Sequence, residues 1–266
     1  MTKPLQDLIE ISSFAAKHPD WVQGGGGNCS VKFDGKMSIK SSGYFLEDVS
    51  PRMGYVTLDL STGKIVGEPA GKASMETPLH TLLGQFVIHT HPVAVVALVS
   101  SKEGRTHFKT LFPNDSYAWI SYASPGRDIY EKVKEALSPE MIQGDLVLFL
   151  QNHGLFVSSS LKQRAIDLHQ QVVDRLEVFF GKVEISSEIP PHHYLTPDHA
   201  VYAQKSQNEF SDKQKTAYEE TIFLARSAAA LIREKGWEPS WLSAEETAAV
   251  LNMSDEKYRQ QLWGKK

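Results

Sequence analysis

The sequence lacks the features that mark several large classes of protein. Cys29 is the only cysteine among 266 residues, which excludes an internal disulfide and a cysteine-rich metal site. No apolar run approaches the roughly twenty residues of a membrane-spanning helix, and the first residues have no apolar core of signal-peptide length. The net charge of -4 gives no reason to expect a nucleic acid or an anionic membrane as a partner. We therefore expect a cytoplasmic protein.

Common catalytic signatures are missing as well. There is no Gly-x-Ser-x-Gly elbow of a serine hydrolase. The glycine run 24–27 is not a dinucleotide fingerprint, and Gly71-Lys72-Ala73-Ser74 is not a Walker loop because Ala73 replaces the hydroxyl that would hold magnesium. We interpret Cys29 as a small buried residue and not as a nucleophile. Nucleotide binding is therefore disfavoured.

The apolar pattern predicts a mixed α/β region followed by a helical tail. Alternation and turn residues predict strands at 30–33, 37–40, 55–60, 86–90 and 145–150. Helical spacing predicts helices at 5–17, 75–84, 93–100, 128–137, 161–180 and 200–236, with a capping box at 243–246 before a last one. The proline-rich stretch 190–197 is typical of a linker. We predict a domain of residues 1–185 and a linker with a helical extension over 186–266 that packs on the same domain.

A pair of histidines follows the apolar run Phe86-Val87-Ile88. His89 and His91 are two residues apart, so in an extended strand both imidazoles point to one face. His153 also comes at the end of an apolar strand and is followed by Gly154, which allows close backbone approach. Three neutral imidazoles that converge can hold a divalent transition metal and leave a position open for substrate. The chain therefore reads first as a metalloenzyme.

Two further groups are candidates for chemistry. Glu76 lies one helical turn before His80, so it is either a helix carboxylate paired with that histidine or a general acid/base above the metal. In a desolvated pocket its pKa would be raised. The glycine run 24–27 is either a flexible loop or a set of backbone N–H groups that binds an anion. The remaining histidines show no partner pattern and are assigned to the surface or the linker: His18, His107, His169, His192, His193 and His199.

Five motifs in order resemble the class II aldolase/adducin family, whose best known enzyme type is L-fuculose-1-phosphate aldolase. They are Gly27-Asn28-Cys29-Ser30, Ser42-Gly43, Ser74-Met75-Glu76 with His80, His89-Thr90-His91-Pro92 and Gln151-Asn152-His153-Gly154. The resemblance covers residues 5–185. It implies a three-layer α/β/α sandwich around a mainly antiparallel sheet, and a homotetramer with sites between subunits.

The resemblance also implies roles for single residues. It assigns Zn²⁺, or another divalent transition metal, to His89, His91 and His153, and proton transfer to Glu76. Tyr122 is similar to a family tyrosine that acts as a proton donor in a neighbouring subunit's site. The residues that match the family's substrate-phosphate site are Gly27, Asn28, Ser42, Gly43 and Ser74. The implied reaction cleaves or forms a carbon–carbon bond of a hydroxy-ketone or sugar phosphate through a metal-stabilised enediolate.

Two departures from the family pattern leave alternatives open. Met75 stands where the aldolases usually carry a second serine, so one phosphate hydroxyl is missing; Lys40 or Lys72 could compensate, or the substrate could be a carboxylate or an unphosphorylated ketose. The tail after residue 186 is longer than in compact members. The same ligands also suit an epimerase, a dehydratase or a decarboxylase, and the fold alone suits a non-catalytic adducin-like module. A cupin also uses a His-x-His pair, but the helix predicted after His91 disfavours it.

Overall fold

A seven-stranded, mainly antiparallel sheet forms the centre of the protein in a computed structural model, which describes residues 1–114, 116–181, 187–203 and 210–263. The strands are β1 (Asn28–Phe33), β2 (Lys36–Lys40), β3 (Tyr55–Asp59), β4 (Phe86–Thr90), β5 (Tyr117–Ile120), β6 (Leu146–Leu150) and β7 (Gly154–Ser159). Their order across the sheet is β3-β2-β1-β4-β7-β6-β5. Only β5 and β6 pair in parallel among the described strands. This sheet confirms the predicted architecture.

Helices cover both faces of the sheet. Those of the first part of the chain are α1 (Lys3–Ala16), α2 (Thr77–Leu82), α3 (Val93–Val99), α4 (Gly104–Leu111), α5 (Arg127–Ala136), α6 (Pro139–Gln143) and α7 (Lys162–Phe180). The C-terminal region adds α8 (Pro197–Ala203), α9 (Asp212–Glu234), α10 (Ala244–Asn252) and α11 (Ser254–Trp263). The predicted helix at 200–236 corresponds to α8 and α9, and residues 204–209 between them lie outside the described residues. The capping box at Ser243 and Glu246 is present at the start of α10.

Side chains that alternate along the central strands divide the core into two layers. In β4, Ile88 packs in the core under α1, α3, α7 and α9, whereas Val87 packs in the core under α2, α5 and α6. In β7, Val157 and Phe156 divide in the same way. Because both faces are covered, β6 is apolar throughout, and β4 and β7 contain uninterrupted apolar runs at 86–88 and 155–157, as in sheets buried on both sides. Cys29 is buried in the first layer, and burial raises the pKa of its thiol to about 12, which agrees with a packing role.

Within the described residues, the sequence analysis missed five helices and strands, and one of them is central. β7 lies between β4 and β6 and directly follows β6 after a three-residue turn, Gln151–His153. Asn152 in this turn has a left-handed φ of 54°, which asparagine tolerates better than most residues. The other four missed elements are α4, β5, α6 and α11. Among the described residues, none of the helices has both the length and the apolar composition needed to cross a membrane.

The sheet topology brings three chain segments to one end of the sheet. Asn28 at the start of β1 pairs with His89 near the end of β4, and Thr90 pairs with Leu155 at the start of β7. The end of one strand therefore lies beside the beginnings of two antiparallel neighbours. The candidate site is at this end.

Candidate metal centre and active site

His89 is fixed by its neighbours on β7. Its ring stacks on Phe156 with centroids 3.9 Å apart, and its Nδ1 donates a hydrogen bond of 2.9 Å to the Leu155 carbonyl. This bond selects the tautomer that leaves the Nε2 lone pair available, as in many metal-ligating histidines. The side chain is fully buried. His89 is thus held in a conformation suited to a ligand.

His91 and His153 converge on the same point. The ring centroid of His91 lies 4.7 Å from that of His89 and 5.3 Å from that of His153, and the Nε2 atoms of His89 and His91 are 3.1 Å apart. One nitrogen from each of the three residues lies within 4.8 Å of the others. Burial and the neighbouring imidazoles lower the pKa of His91 to about 3, and burial lowers that of His153 to about 4. Neutral, clustered imidazoles are the donor set of a divalent metal.

The surroundings of the three histidines also fit a metal ion. Glu76 Oε1 is buried and makes no hydrogen bond within the described part of the chain. A buried carboxylate oxygen without a donor is costly, and a bound cation would satisfy it. Three imidazoles plus an open position is also the arrangement of catalytic zinc sites. The residues present therefore fit the metal that the motifs imply.

Glycine is required next to the ligands. A Cβ on Gly154 would lie 2.5 Å from the Thr90 carbonyl oxygen and 2.6 Å from Cδ2 of His91. A Cβ on Gly26 would lie 2.9 Å from Asp198 Oδ2 and 3.1 Å from Cε1 of His91. The backbone thus packs directly against the His91 ring from two sides, which holds its orientation.

We expect Gly154→Ala to damage the metal centre. The added methyl must displace the β4 backbone or the His91 ring, at a cost of about 1–3 kcal/mol in the free energy of unfolding, as for overpacking elsewhere. Metal affinity should fall with it. Gly144→Ala is the matched control, because its Cβ would meet no atom closer than 3.4 Å. Thermal unfolding and metal titration of both variants measure the difference, and equal behaviour would contradict the packing argument.

Glu76 lies at the start of α2 and faces the histidines. Its side chain is 7% exposed, with Oε2 3.2 Å from His89 Nε2 and Oε1 3.3 Å from His153 Nε2. Burial alone would raise its pKa, but the adjacent His89 and His153 and the Asn28 amide hold the pKa well below its ordinary value. The sequence-based expectation of a raised pKa was therefore wrong, because it considered only desolvation and not the neighbouring side chains that stabilise the carboxylate. At neutral pH Glu76 is a carboxylate and can accept a proton.

A hydrogen-bonded chain positions this carboxylate from behind. Asn28 Nδ2 donates to Glu76 Oε2 over 2.7 Å, and Asn28 Oδ1 accepts from His80 Nε2. His80 Nδ1 in turn contacts Ser30 Oγ at 2.7 Å. Burial lowers the pKa of His80 to about 3, so it is neutral and donates through one nitrogen. His80 therefore pairs with Asn28 and not with the Glu76 carboxylate, and it orients the amide that orients Glu76.

All five residues predicted to bind substrate line one cavity beside the histidines. They are Gly27, Asn28, Ser42, Gly43 and Ser74, and Met75, Glu76, His91 and His153 line it too. Of the two lysines considered as replacements for a missing hydroxyl, Lys40 lines the cavity. Lys72 does not, because it forms an ion pair of 2.7 Å with Asp255. Their roles in binding remain a prediction.

The cavity has a second wall that sequence reasoning did not find. Thr196, Pro197 and Asp198 line it from the start of α8, and Glu256 and Arg259 line it from α11. Asp198 Oδ2 lies 3.9 Å from His91 Nδ1. The stretch interpreted as a linker thus ends in the candidate site. The only sequence feature that could have pointed here is Thr196-Pro197-Asp198, a helix start with an acidic first turn.

The assignment of all remaining histidines to the surface or the linker was wrong for two of them. His169 is fully buried, and its Nε2 lies 2.7 Å from Oγ1 of Thr90, the residue between His89 and His91 in the sequence. His199 is 3% exposed, and its Nδ1 accepts a hydrogen bond from the Leu195 backbone. Their helical positions face inward, which isolated histidines in a sequence do not reveal.

Tyr122 lies apart from the histidines of its own chain. It packs against a small cluster of Tyr194, Ala200 and Leu242, and it lines a different cavity with Glu245 and Glu246. Burial raises the pKa of its hydroxyl. The structure of one chain therefore does not bring Tyr122 to the site, and a role in a neighbouring subunit's site stays a prediction.

The fold and this site define the class of protein to which the chain can be compared. The family model of the Class II Aldolase and Adducin N-terminal domain matches residues 6–180, and the chain belongs to this family. No curated protein gives a significant match.

Solved structures of low sequence identity share the fold. The N-terminal class II aldolase domain of a conserved protein from Thermoplasma acidophilum is 22% identical, with a TM-score of 0.58 over 67% of this chain and 94% of that one. An L-fuculose 1-phosphate aldolase is 17% identical, with a TM-score of 0.53 over 97% of both chains. YgbL from Escherichia coli, a putative aldolase/epimerase/decarboxylase, is 16% identical, with a TM-score of 0.53 over 93% of this chain and 97% of that one.

Proposed function

We propose that this protein is a metal-dependent aldolase, with zinc as the expected metal, that cleaves or forms a carbon–carbon bond of a hydroxy-ketone or its phosphate. The observation that carries the proposal is the position of Glu76. Its carboxylate lies 3.2–3.3 Å from two of the three clustered histidines and is ionised, so a base stands beside the candidate metal site. A non-catalytic, adducin-like protein would have no use for a buried carboxylate at this position, and burial of a carboxylate costs free energy.

The chain's own residues suit proton transfer at a carbon next to a carbonyl. Glu76 is positioned by Asn28 to take that proton and to return it. A bound divalent metal supplies Lewis acidity to the substrate oxygens. The hydroxyls and N–H groups of Ser42, Gly43 and Ser74 suit the far end of the substrate. In the proposed homotetramer, Tyr122 of a neighbouring subunit would protonate the aldehyde oxygen.

A decarboxylase of the same family is the second candidate. Met75 lines the cavity where a hydroxyl would serve a phosphate, and buried Lys40 lines it as well. A methyl thioether cannot donate a hydrogen bond, whereas an ammonium can pair with a carboxylate. Met75 therefore favours a carboxylate substrate over a phosphate, whereas Lys40 suits either anion.

The test of the proposed function follows proton exchange by NMR in D₂O. The zinc-loaded protein is given dihydroxyacetone phosphate alone, since loss of the proton beside the carbonyl needs no aldehyde. We expect exchange of one hydroxymethyl proton, absent after metal removal by a chelator and in Glu76→Gln. No exchange in protein with measured zinc would contradict an aldolase of this substrate and favour the decarboxylase.

A further inference from the structure

Arg259 reaches the candidate active site from the C-terminal helix α11. It is 6% exposed, although arginine is rarely buried without a partner. Its Nη2 donates to Asp198 Oδ1 over 2.6 Å and to Glu256 Oε2 over 2.8 Å. Asp198 also lies against His91. Asp198 therefore connects the Arg259 guanidinium to His91, a candidate metal ligand.

A second buried cation lines the same cavity. Lys40 is 3% exposed, and its Nζ donates to the carbonyl oxygens of Gly25 and Tyr44 at 3.0 and 2.7 Å. An ammonium has three N–H donors, so these bonds leave one for another acceptor. Within the described residues no carboxylate lies within 4.0 Å of Lys40 Nζ. Burial and the nearby Arg259 lower its pKa to about 8.

The charged groups around the cavity could be balanced by a bound anion. Lys40 and Arg259 face three carboxylates, those of Glu76, Asp198 and Glu256. A divalent cation on the histidines would make the cavity positive overall. Burial raises the pKa of Glu256 to about 7, which reduces the negative charge further. An anionic group of one or two charges would bring the cavity close to neutrality, as a desolvated site requires.

We propose that Arg259 is a specificity-determining residue that, with Lys40, binds an anionic group of the substrate, either a carboxylate or a phosphate. The inference rests on the proposed function only in taking this cavity as the substrate site. The C-terminal extension is then part of substrate recognition. Asp198 and Glu256 hold the guanidinium in place, and the planar fork of arginine suits either oxyanion.

The experiment measures anion binding without turnover. Zinc-loaded full-length protein is titrated with inorganic phosphate and, separately, with glycolate by isothermal calorimetry. We expect the wild type to bind one of them, which identifies the charged group. Arg259→Gln should weaken that binding about 10- to 100-fold, the range for a hydrogen bond to a charged group. Arg259→Lys should restore part of it. If the wild type binds neither anion, the proposal is overturned.

Two controls separate recognition from disruption of the helix. Lys257→Gln removes an exposed cation of α11 that does not line the cavity, so anion binding should stay unchanged. Arg127→Gln changes an arginine whose side chain is 84% exposed and should change nothing. If Lys257→Gln weakens binding as much as Arg259→Gln does, the loss reports the overall charge of α11 and not contact with Arg259, and the proposal fails. Zinc content and thermal unfolding are measured for every variant, and Arg259→Lys carries the test if Arg259→Gln is unfolded.

The outcome is independent of the proposed reaction. Loss of anion binding in Arg259→Gln, together with no proton exchange from any hydroxy-ketone, would keep the role of Arg259 and reject the aldolase. Proton exchange by the wild type, together with unchanged anion binding in Arg259→Gln, would support the aldolase and reject the role of Arg259. Once a substrate is known, Arg259→Gln should raise KM more than it lowers kcat, because the proposed role of Arg259 is to bind the substrate and not to move its proton.

Discussion

Replacing Glu76 with glutamine is expected to leave the metal bound and to remove most of the turnover. The amide keeps the size of the carboxylate and can still accept the hydrogen bond from Asn28, but it cannot take a proton from carbon. A positioned general base contributes about 10²- to 10⁴-fold, so kcat should fall by that factor. The measurement combines zinc content with the rate of proton exchange.

The control for Glu76→Gln is the same substitution at a glutamate outside the candidate site. Glu47 is exposed and does not line the cavity, so Glu47→Gln should keep full activity. Unchanged exchange in Glu76→Gln would remove Glu76 from the mechanism. Loss of zinc in that variant would instead make the carboxylate a fourth ligand, and the fall in rate would no longer report on proton transfer.

A smaller fall in kcat is expected when Asn28, which positions Glu76, is replaced. Asn28→Ala removes the amide that donates to Glu76 and accepts from His80, so His80 Nε2 loses its acceptor and Glu76 Oε2 loses its amide donor. We expect zinc to stay bound and kcat to fall by less than in Glu76→Gln, since the base itself is still present. A rate equal to that of the wild type would show that Glu76 is positioned by other contacts.

The local part of this site could be predicted from the sequence. His89 and His91 share a face because strand residues alternate, and the buried strand Phe86–Thr90 has the predicted bounds. His153 was recognised by its place after an apolar strand. These inferences succeed because each depends on a few adjacent residues and on a period that the backbone imposes.

The rest depends on contacts that a single sequence does not encode locally. β7 was missed because the turn before it has no Asn-Gly or Asp-Gly pair, and only the left-handed Asn152 marks it. Arg259 and Asp198 are charged residues on helices, and by pattern alone they belong to solvated faces. The packing of α8 and α11 over the sheet end converts them into the wall of a cavity. Tertiary burial, not local propensity, selects them.

The largest loss of metal is expected for His91→Ala. Removal of one of three imidazoles leaves two, and even changes to groups behind a ligand cost about 10- to 100-fold in metal affinity, so the loss should exceed about 100-fold. Activity should disappear with the metal. His91 is also the ligand candidate whose ring is enclosed by Gly26 and Gly154, so alanine leaves a small void and unfolding should be measured alongside.

His193→Ala is the matched control for this loss, because His193 is exposed and contacts the Pro191 carbonyl instead of the cluster. Zinc binding is followed by competition with a chromogenic chelator, and bound metal is counted by elemental analysis. Full zinc occupancy in a folded His91→Ala protein would contradict the three-histidine site. Because His89 keeps its tautomer through the Leu155 carbonyl, it should still bind weakly with His153. Residual affinity far below that of the wild type, with His193→Ala unchanged, would therefore assign the third ligand to His91.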